Sequence, residues 1–284
     1  MPKEIYNING QLIAKENAGL PAFSWGIQNG YGLIETMICE DNHLPLLQQH
    51  IARLFAGMSL LGFHTPQYFT PDKLKAEILK TVRANQAHRL ARVRLQIYTA
   101  DDDGFSASRL CPGFLITCQS VPSSFLDFNH EGWHIGLSKN LVLSIDHLSA
   151  LKHTSNLIYK QAQRQARVRN WNDCLLPNAH GRWVESSMAN LFWVKNGVVA
   201  TPPLCEGAIA GIMRQHLLKL LPRKGYELIE KNCNTEDLFE ADEIFLTNAL
   251  RRIIPVKRFE DLWHDFDYTY SIHELLTEPD WHLT

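Results

Sequence analysis

Between residues 47 and 61 the apolar positions recur with a helical period. Leu47, Ile51, Leu54, Phe55, Met58 and Leu61 form the stripe that a helix buries against a sheet, with His50 and Arg53 off it. From Leu90 to Thr99 the period drops to two, Arg92, Arg94 and Gln96 alternating with Val93, Leu95 and Ile97, which predicts a half-buried strand. A further helix is predicted over residues 71–85. Asn9-Gly10 and Asn196-Gly197 each separate two strand-like runs, and their tolerance of positive φ predicts hairpin turns. Beyond residue 126 the pattern predicts strands over 132–142, 183–185, 191–194 and 198–201. It also predicts helices over 154–169, with Ile158, Ala162 and Ala166 on one side, and over 211–221.

These elements imply an α+β unit followed by a strand-rich one. At 284 residues the chain exceeds the usual single domain, and the polar run Val121-Pro-Ser-Ser-Phe125 reads as a linker. The expected division is a small α/β domain over 1–120, a linker over 121–126 and a larger domain over 127–284. Hydrophobic residues make up 45% and charged residues 20%, with a net charge of −2; nothing there asks for nucleic acid. No apolar run reaches the roughly eighteen residues of a membrane span, and Met1-Pro-Lys-Glu-Ile-Tyr6 lacks the pattern of a leader. The expectation is a cytoplasmic protein away from membranes. The six cysteines include no C-x-x-C pair, so reduced thiols are expected.

Three motif spellings dissolve in context. His130-Glu131-Gly132-Trp133-His134 spells H-E-x-x-H, which binds zinc only with both histidines on one helix. Gly132 is a poor helix former and the following residues alternate as in a strand, so no metal is expected. Ser149-Ala-Leu-Lys152 spells S-x-x-K without its companions S-D-N and K-T-G. Asp101-Asp-Asp-Gly104 opens like a calcium loop, but Leu110 stands where the glutamate should be; a solvated turn is expected.

Other positions carry chemistry. Lys152 follows Leu148, Ala150 and Leu151. Apolar surroundings disfavour an ammonium and leave an amine able to form a Schiff base with a carbonyl cofactor, whereas most lysines are solvated. Glu185 points away from Val184 in a strand, toward solvent or into a cavity; against a pyridine nitrogen its carboxylate would keep that nitrogen protonated. Gly211-Ile212-Met213-Arg214 opens a helix, either as an ordinary core helix or as a phosphate site made of free N–H groups. Arg53 is either the counter-charge of that phosphate or a solvated helix arginine.

In order and spacing, the runs Tyr31-Gly-Leu-Ile-Glu-Thr36, His50-Ile-Ala-Arg53-Leu, Lys152-His153, Glu185-Ser-Ser-Met-Ala-Asn190-Leu-Phe, Thr201-Pro, Gly211-Ile and Asp242 to Leu250 through Pro255-Val256 resemble the class IV aminotransferases. These are the fold-type-IV pyridoxal-phosphate enzymes, which include branched-chain and D-amino-acid aminotransferases and aminodeoxychorismate lyase. The resemblance runs from about Asn9 to Val256. It implies a small α/β domain, a larger domain around a barrel-like sheet, pyridoxal 5'-phosphate and a homodimer. It also implies that Lys152 anchors the cofactor and shuttles protons, and that Glu185 holds the ring nitrogen. Arg53 and the amides of Ile212 and Met213, next to Gly211, would bind phosphate, with Asn248 and Ala249 also at the cofactor.

Three details are similar to the lyase: Lys152-His153, Asn248-Ala249-Leu250 where many transaminases carry a threonine, and Gly211-Ile-Met-Arg-Gln215. The implied reaction takes 4-amino-4-deoxychorismate to 4-aminobenzoate and pyruvate; the alternative is amino transfer to a 2-oxo acid. Tyr98 to Asp103 departs from the family's arginine-bearing glycine-rich turn, and Ser24-Trp25 from its Asp-Arg or Asp-His. Substrate binding is therefore expected from Thr36, Arg94, Arg251 and Arg252.

Overall fold

The structure is a computed structural model and describes residues 4–22, 24–100, 110–278 and 281. The acidic run Asp101 to Asp103, expected as a solvated turn, lies outside the described residues. Two compact units emerge, one of Met1–Phe125 with Lys152–Ser155, the other of Leu126–Leu151 with Asn156–Thr284.

The first unit is built on an antiparallel sheet of β1 (Ile5–Ile8), β2 (Gln11–Ala14), β3 (Gly32–Glu40), β4 (Leu90–Thr99) and β5 (Pro112–Ser120), in the order β2-β1-β5-β4-β3. Asn9 and Gly10, at φ 52° and 90°, make the first hairpin, as their chemistry predicts. Helices α1 (Trp25–Gln28), α2 (Leu47–Leu60) and α3 (Pro71–Ala84) complete it. Thr70 starts α3, its hydroxyl accepting from Lys73 N at 3.2 Å ahead of Pro71.

Alternation along β4 decides the two faces. Val93, Leu95 and Ile97 are buried on the face that carries α2 and α3, because Glu35, opposite Leu95, bonds to α2 and Asn7, opposite Ile116, bonds to α3. Arg92, Arg94 and Gln96 lie on the other face. One expectation for α2 fails. His50, assigned off the stripe, is 1% exposed, because the carboxylate of Glu35 reaches up from the sheet to meet it.

Lys152 to Thr154 run as an extended segment along the free edge of β3. Ile34 N donates to Lys152 O at 2.8 Å, and Thr154 N donates to Gly32 O at 2.9 Å. That pairing keeps the chain out of helix, so the helix predicted from 154 begins later, as α4 (Leu157–Val168). Its packed side also differs from expectation: Ala162 and Ala166 are buried, but Ile158 is 38% exposed.

The second unit holds β6 (Trp133–Leu137), β7 (Asp173–Pro177), β8 (Trp183–Ser186), β9 (Asn190–Lys195), β10 (Val198–Thr201), β11 (Leu228–Glu230), β12 (Glu243–Asn248), β13 (Arg252–Phe259) and β14 (Leu262–Trp263). Helices α5 (Ile212–Arg223), α6 (Thr235–Phe239) and α7 (Asp267–Leu275) join α4. Strands β9-β12-β13-β6-β7-β8 form a ring that the Glu185–Asn190 pairing of β8 with β9 closes. Leu175, Leu191, Leu246, Ile254 and Val256 share its apolar core with Trp193. The strand predicted over 132–142 stops at Leu137, and Asn140 turns the chain at φ 61°. His134 lies in that strand and contacts Glu260 O, while His130 precedes it with its ring against Phe128; the pair does not share a helix. Among the described residues no helix is long and apolar enough to cross a membrane.

Candidate active site

In the first unit, the pleat fixes where Lys152 projects. His153 pairs with Leu33, so Lys152 stands opposite Ile34 and shares its face. That is the face of Thr36, Arg94 and Gln96, since Ile34 is opposite Gln96 and Thr36 is opposite Arg94. Lys152 is half-buried, and Leu148, expected as part of an apolar approach, is 36% exposed. Arg94 Nη2 donates to Gln96 Oε1 at 3.2 Å. Burial and the neighbouring charge of Arg92 lower the pKa of Arg94.

The opposite face holds a buried ion cluster. Glu35 accepts from Arg53 Nε at 2.8 Å and Nη2 at 2.6 Å, and from His50 Nδ1 at 2.6 Å. Burial works against the charge of Glu35. The guanidinium of Arg53, followed by the His50 hydrogen bond, overrides it and holds the carboxyl at about 2. Arg53, expected at a phosphate, thus has two of its guanidinium nitrogens engaged by a carboxylate that the sequence reading left without a role.

In the second unit, Glu185 is the centre of a second network. Its carboxylate accepts from Tyr159 Oη at 2.7 Å, from Asn190 Nδ2 at 2.9 Å and from Ile209 N at 3.2 and 3.3 Å. Burial, then the adjacent charge of Glu185, push the Tyr159 phenol well above its usual pKa, so it remains a donor. Asn190 Nδ2 also reaches Ile209 O at 2.9 Å, and its Oδ1 lies so close to Gly211 that a Cβ there would overlap it. Gly211 is the N-cap of α5 and supplies no side-chain cap. Sequence reading gave Tyr159, Asn190 and Ile209 no role. Tyr159 shares a helical stripe with Ala162 and Ala166, and the four-residue return from Glu185 to Asn190 is hairpin spacing, so two of the three left a signal.

Asn248 builds a turn: its Oδ1 accepts from Leu250 N at 3.0 Å and Arg251 N at 2.9 Å. Arg251 is exposed. The expectation that Arg252 meets substrate finds its guanidinium engaged elsewhere, donating to Leu276 O at 3.0 Å and stacked 4.6 Å over Trp281. Arg94 and the pair Arg251-Arg252 belong to different units.

A family model described as amino-transferase class IV matches residues 32–259, the span from the edge of β3 that receives Lys152 to the end of β13. The chain belongs to the class IV aminotransferase family. Among its relatives, a putative branched-chain-amino-acid aminotransferase of Methanocaldococcus jannaschii is 30% identical over 88% of this chain and 85% of that one. An aminodeoxychorismate lyase of Vibrio harveyi is 27% identical over 84% and 86%. The crystal structure of a branched-chain aminotransferase from Thermoproteus uzoniensis with norvaline superposes with a TM-score of 0.87, at 24% identity, covering 98% of this chain and 97% of that one. The fold is that of the fold-type-IV enzymes, and the chain is a pyridoxal-phosphate-dependent enzyme.

The second unit fits that cofactor on its own terms. Its buried carboxylate is oriented by three donors, and the helix N-terminus beside it carries no side-chain cap and closes against Asn190 at a glycine.

Proposed function

We propose that this enzyme is a 4-amino-4-deoxychorismate lyase that yields 4-aminobenzoate and pyruvate. Amino transfer to a 2-oxo acid by the same residues is the second reading, favoured by the branched-chain aminotransferase relatives. The observation that carries the proposal is the pleat position of Lys152, which puts its amine on the sheet face of Thr36 and Arg94. The lyase is preferred because Lys152-His153 and Asn248-Ala249-Leu250 keep the lyase pattern, and the carboxamide of Asn248 is built into its turn.

Glu185 would hold the pyridine nitrogen, and the amides of Ile212 and Met213 the phosphate, with Arg53, Gly211, Asn248 and Ala249 as further candidates for the cofactor. When bound, pyridoxal 5'-phosphate supplies an electron sink conjugated to the substrate amine. Lys152 anchors the cofactor. The amine of Lys152 would take the proton from the ring carbon that bears the substrate amine. The bond from the neighbouring ring carbon to the enolpyruvyl oxygen then breaks, the ring becomes aromatic as that of 4-aminobenzoate, and the proton held by Lys152, delivered to the enolpyruvate methylene carbon, completes pyruvate. Arg94 holds a substrate carboxylate, and Thr36 lies beside it.

Enzyme loaded with cofactor and given 4-amino-4-deoxychorismate without any keto acid is expected to release 4-aminobenzoate. No product from loaded enzyme overturns the lyase reading, and amino transfer from a panel of L- and D-amino acids to 2-oxoglutarate or pyruvate would put the second in its place. Lys152→Ala is expected to lose the visible absorbance of the bound cofactor and all activity; a surviving band removes Lys152 from its role.

A further inference from the structure

We propose that Thr154 is a positioning residue for Lys152, its hydroxyl bracing the edge segment from which the reacting amine projects. The proposal rests on Lys152 carrying the reaction, as argued above.

The chain belongs to the first unit at Lys152–Ser155 and to the second on either side. Two backbone bonds among the described residues tie this segment to β3: Ile34 N donates to Lys152 O at 2.8 Å and Thr154 N to Gly32 O at 2.9 Å. An edge held by so few bonds opens readily. Thr154 adds a third, its hydroxyl donating to Gly30 O, so the attachment runs from Ile34 through Gly32 to Gly30 at every second residue. Glycines make room for it. A Cβ on Gly32 would stand 2.2 Å from Ile97 O and 3.3 Å from Thr154 Oγ1, and one on Gly30 would stand 3.2 Å from Ser155 Cα and Cβ. The segment therefore lies directly against the backbone of Gly30 and Gly32, with the Thr154 hydroxyl at their carbonyls' edge of β3.

Thr154 is two residues from Lys152, on the same side of the extended segment. Its hydroxyl proton is committed to Gly30 O, which makes it a brace and not a proton donor to substrate. The four-carbon stem of a lysine is flexible, so the reach of its amine is set by the backbone beneath it. The proposed reaction asks that amine to take a proton at one carbon and deliver it at another. A displacement of about 1 Å in such an arrangement can lower the rate by up to about 10²-fold.

Thr154→Val keeps the shape of the side chain and removes the donor. Amide hydrogen exchange on the holoenzyme is expected to quicken roughly tenfold at Ile34 N and Thr154 N, the worth of one hydrogen bond. Steady-state kinetics with the amino substrate that the holoenzyme turns over should show kcat down about tenfold with KM unchanged. Thr154→Ser keeps the hydroxyl and should restore both; Thr154→Ala, too small to crowd the glycines, should behave as Thr154→Val. Unchanged exchange in Thr154→Val, faster exchange with kcat intact, a loss confined to KM, equal damage in Thr154→Ser, or disagreement between Thr154→Val and Thr154→Ala would each overturn the brace. Lys152→Ala tests the underlying reading separately. A visible cofactor band that survives there removes Lys152 and the proposal with it, whereas loss of the band alongside a wild-type kcat in Thr154→Val rejects the brace and keeps Lys152.

Discussion

Glu35 and Glu185 are both strand glutamates buried to within 1% and 2% of full exclusion from solvent, yet different donors meet them. Glu35 sits in the first unit between two basic side chains, His50 and Arg53. Glu185, in the second, is met by a phenol, a carboxamide and a backbone amide. Cationic partners compensate a buried charge where it stands, and the result joins helix to sheet. The neutral donors bonded to Glu185 orient its carboxylate, which suits the ring-nitrogen role proposed for it. Residue type and burial therefore do not tell the two glutamates apart; the side chains hydrogen-bonded to each of them differ.

The largest expected effect comes from breaking the compensated side. Glu35→Gln leaves Arg53 and His50 facing an amide and is expected to lower unfolding stability by about 3–5 kcal/mol. Because the folded carboxyl sits at about 2 against an ordinary 4.5, the native state binds fewer protons than the unfolded chain between those values. The stability it contributes, roughly 3 kcal/mol, is present above about pH 4.5 and lost as pH falls toward 2. Urea unfolding at pH 7 and pH 3 checks both parts: the wild type should lose stability on acidification by more than the variant. A variant as stable as wild type at pH 7 would erase the contrast between the two glutamates.

Glu185→Gln probes the other side. Here the expected loss lies in rate, roughly 10²–10³-fold, with a much smaller change in stability than for Glu35→Gln. Steady-state rates beside thermal melts of the same samples separate these outcomes. Equal damage to fold and rate would make Glu185 another structural acid.

How much of this was legible follows from range. The β4 alternation and the two Asn-Gly turns are set by neighbours in sequence, and the structure returns them as predicted. Lys152 and Glu185 stood out because a motif order pointed to them. The partner of Arg53 did not, because Glu35 reaches it from eighteen residues away across a helix–sheet interface and no period encodes that contact. The helix start at residue 154 was misplaced for the same reason: helical propensity gave way to strand pairing with Gly32 and Ile34, 122 and 118 positions earlier in the chain. Ile209 left no trace, since a backbone amide donates whatever its side chain is.

The finest division of the comparison lies within the Glu185 network, at Tyr159. Tyr159→Phe removes the 2.7 Å donor to Glu185 Oε1 but leaves Asn190 and Ile209 in place, so about tenfold or less of the rate should go, within the worth of one hydrogen bond to a charged group. Its pH signature has a definite sign. The phenol is raised well above 10 in the folded chain, so its contribution to stability is complete below pH 10 and declines as pH rises through the folded value. The wild type should therefore lose stability under alkali more steeply than Tyr159→Phe, measured by denaturant unfolding at pH 8 and pH 11. If the two decline in parallel, the Tyr159 proton is not held by Glu185, and the carboxylate owes its orientation to Asn190 and Ile209.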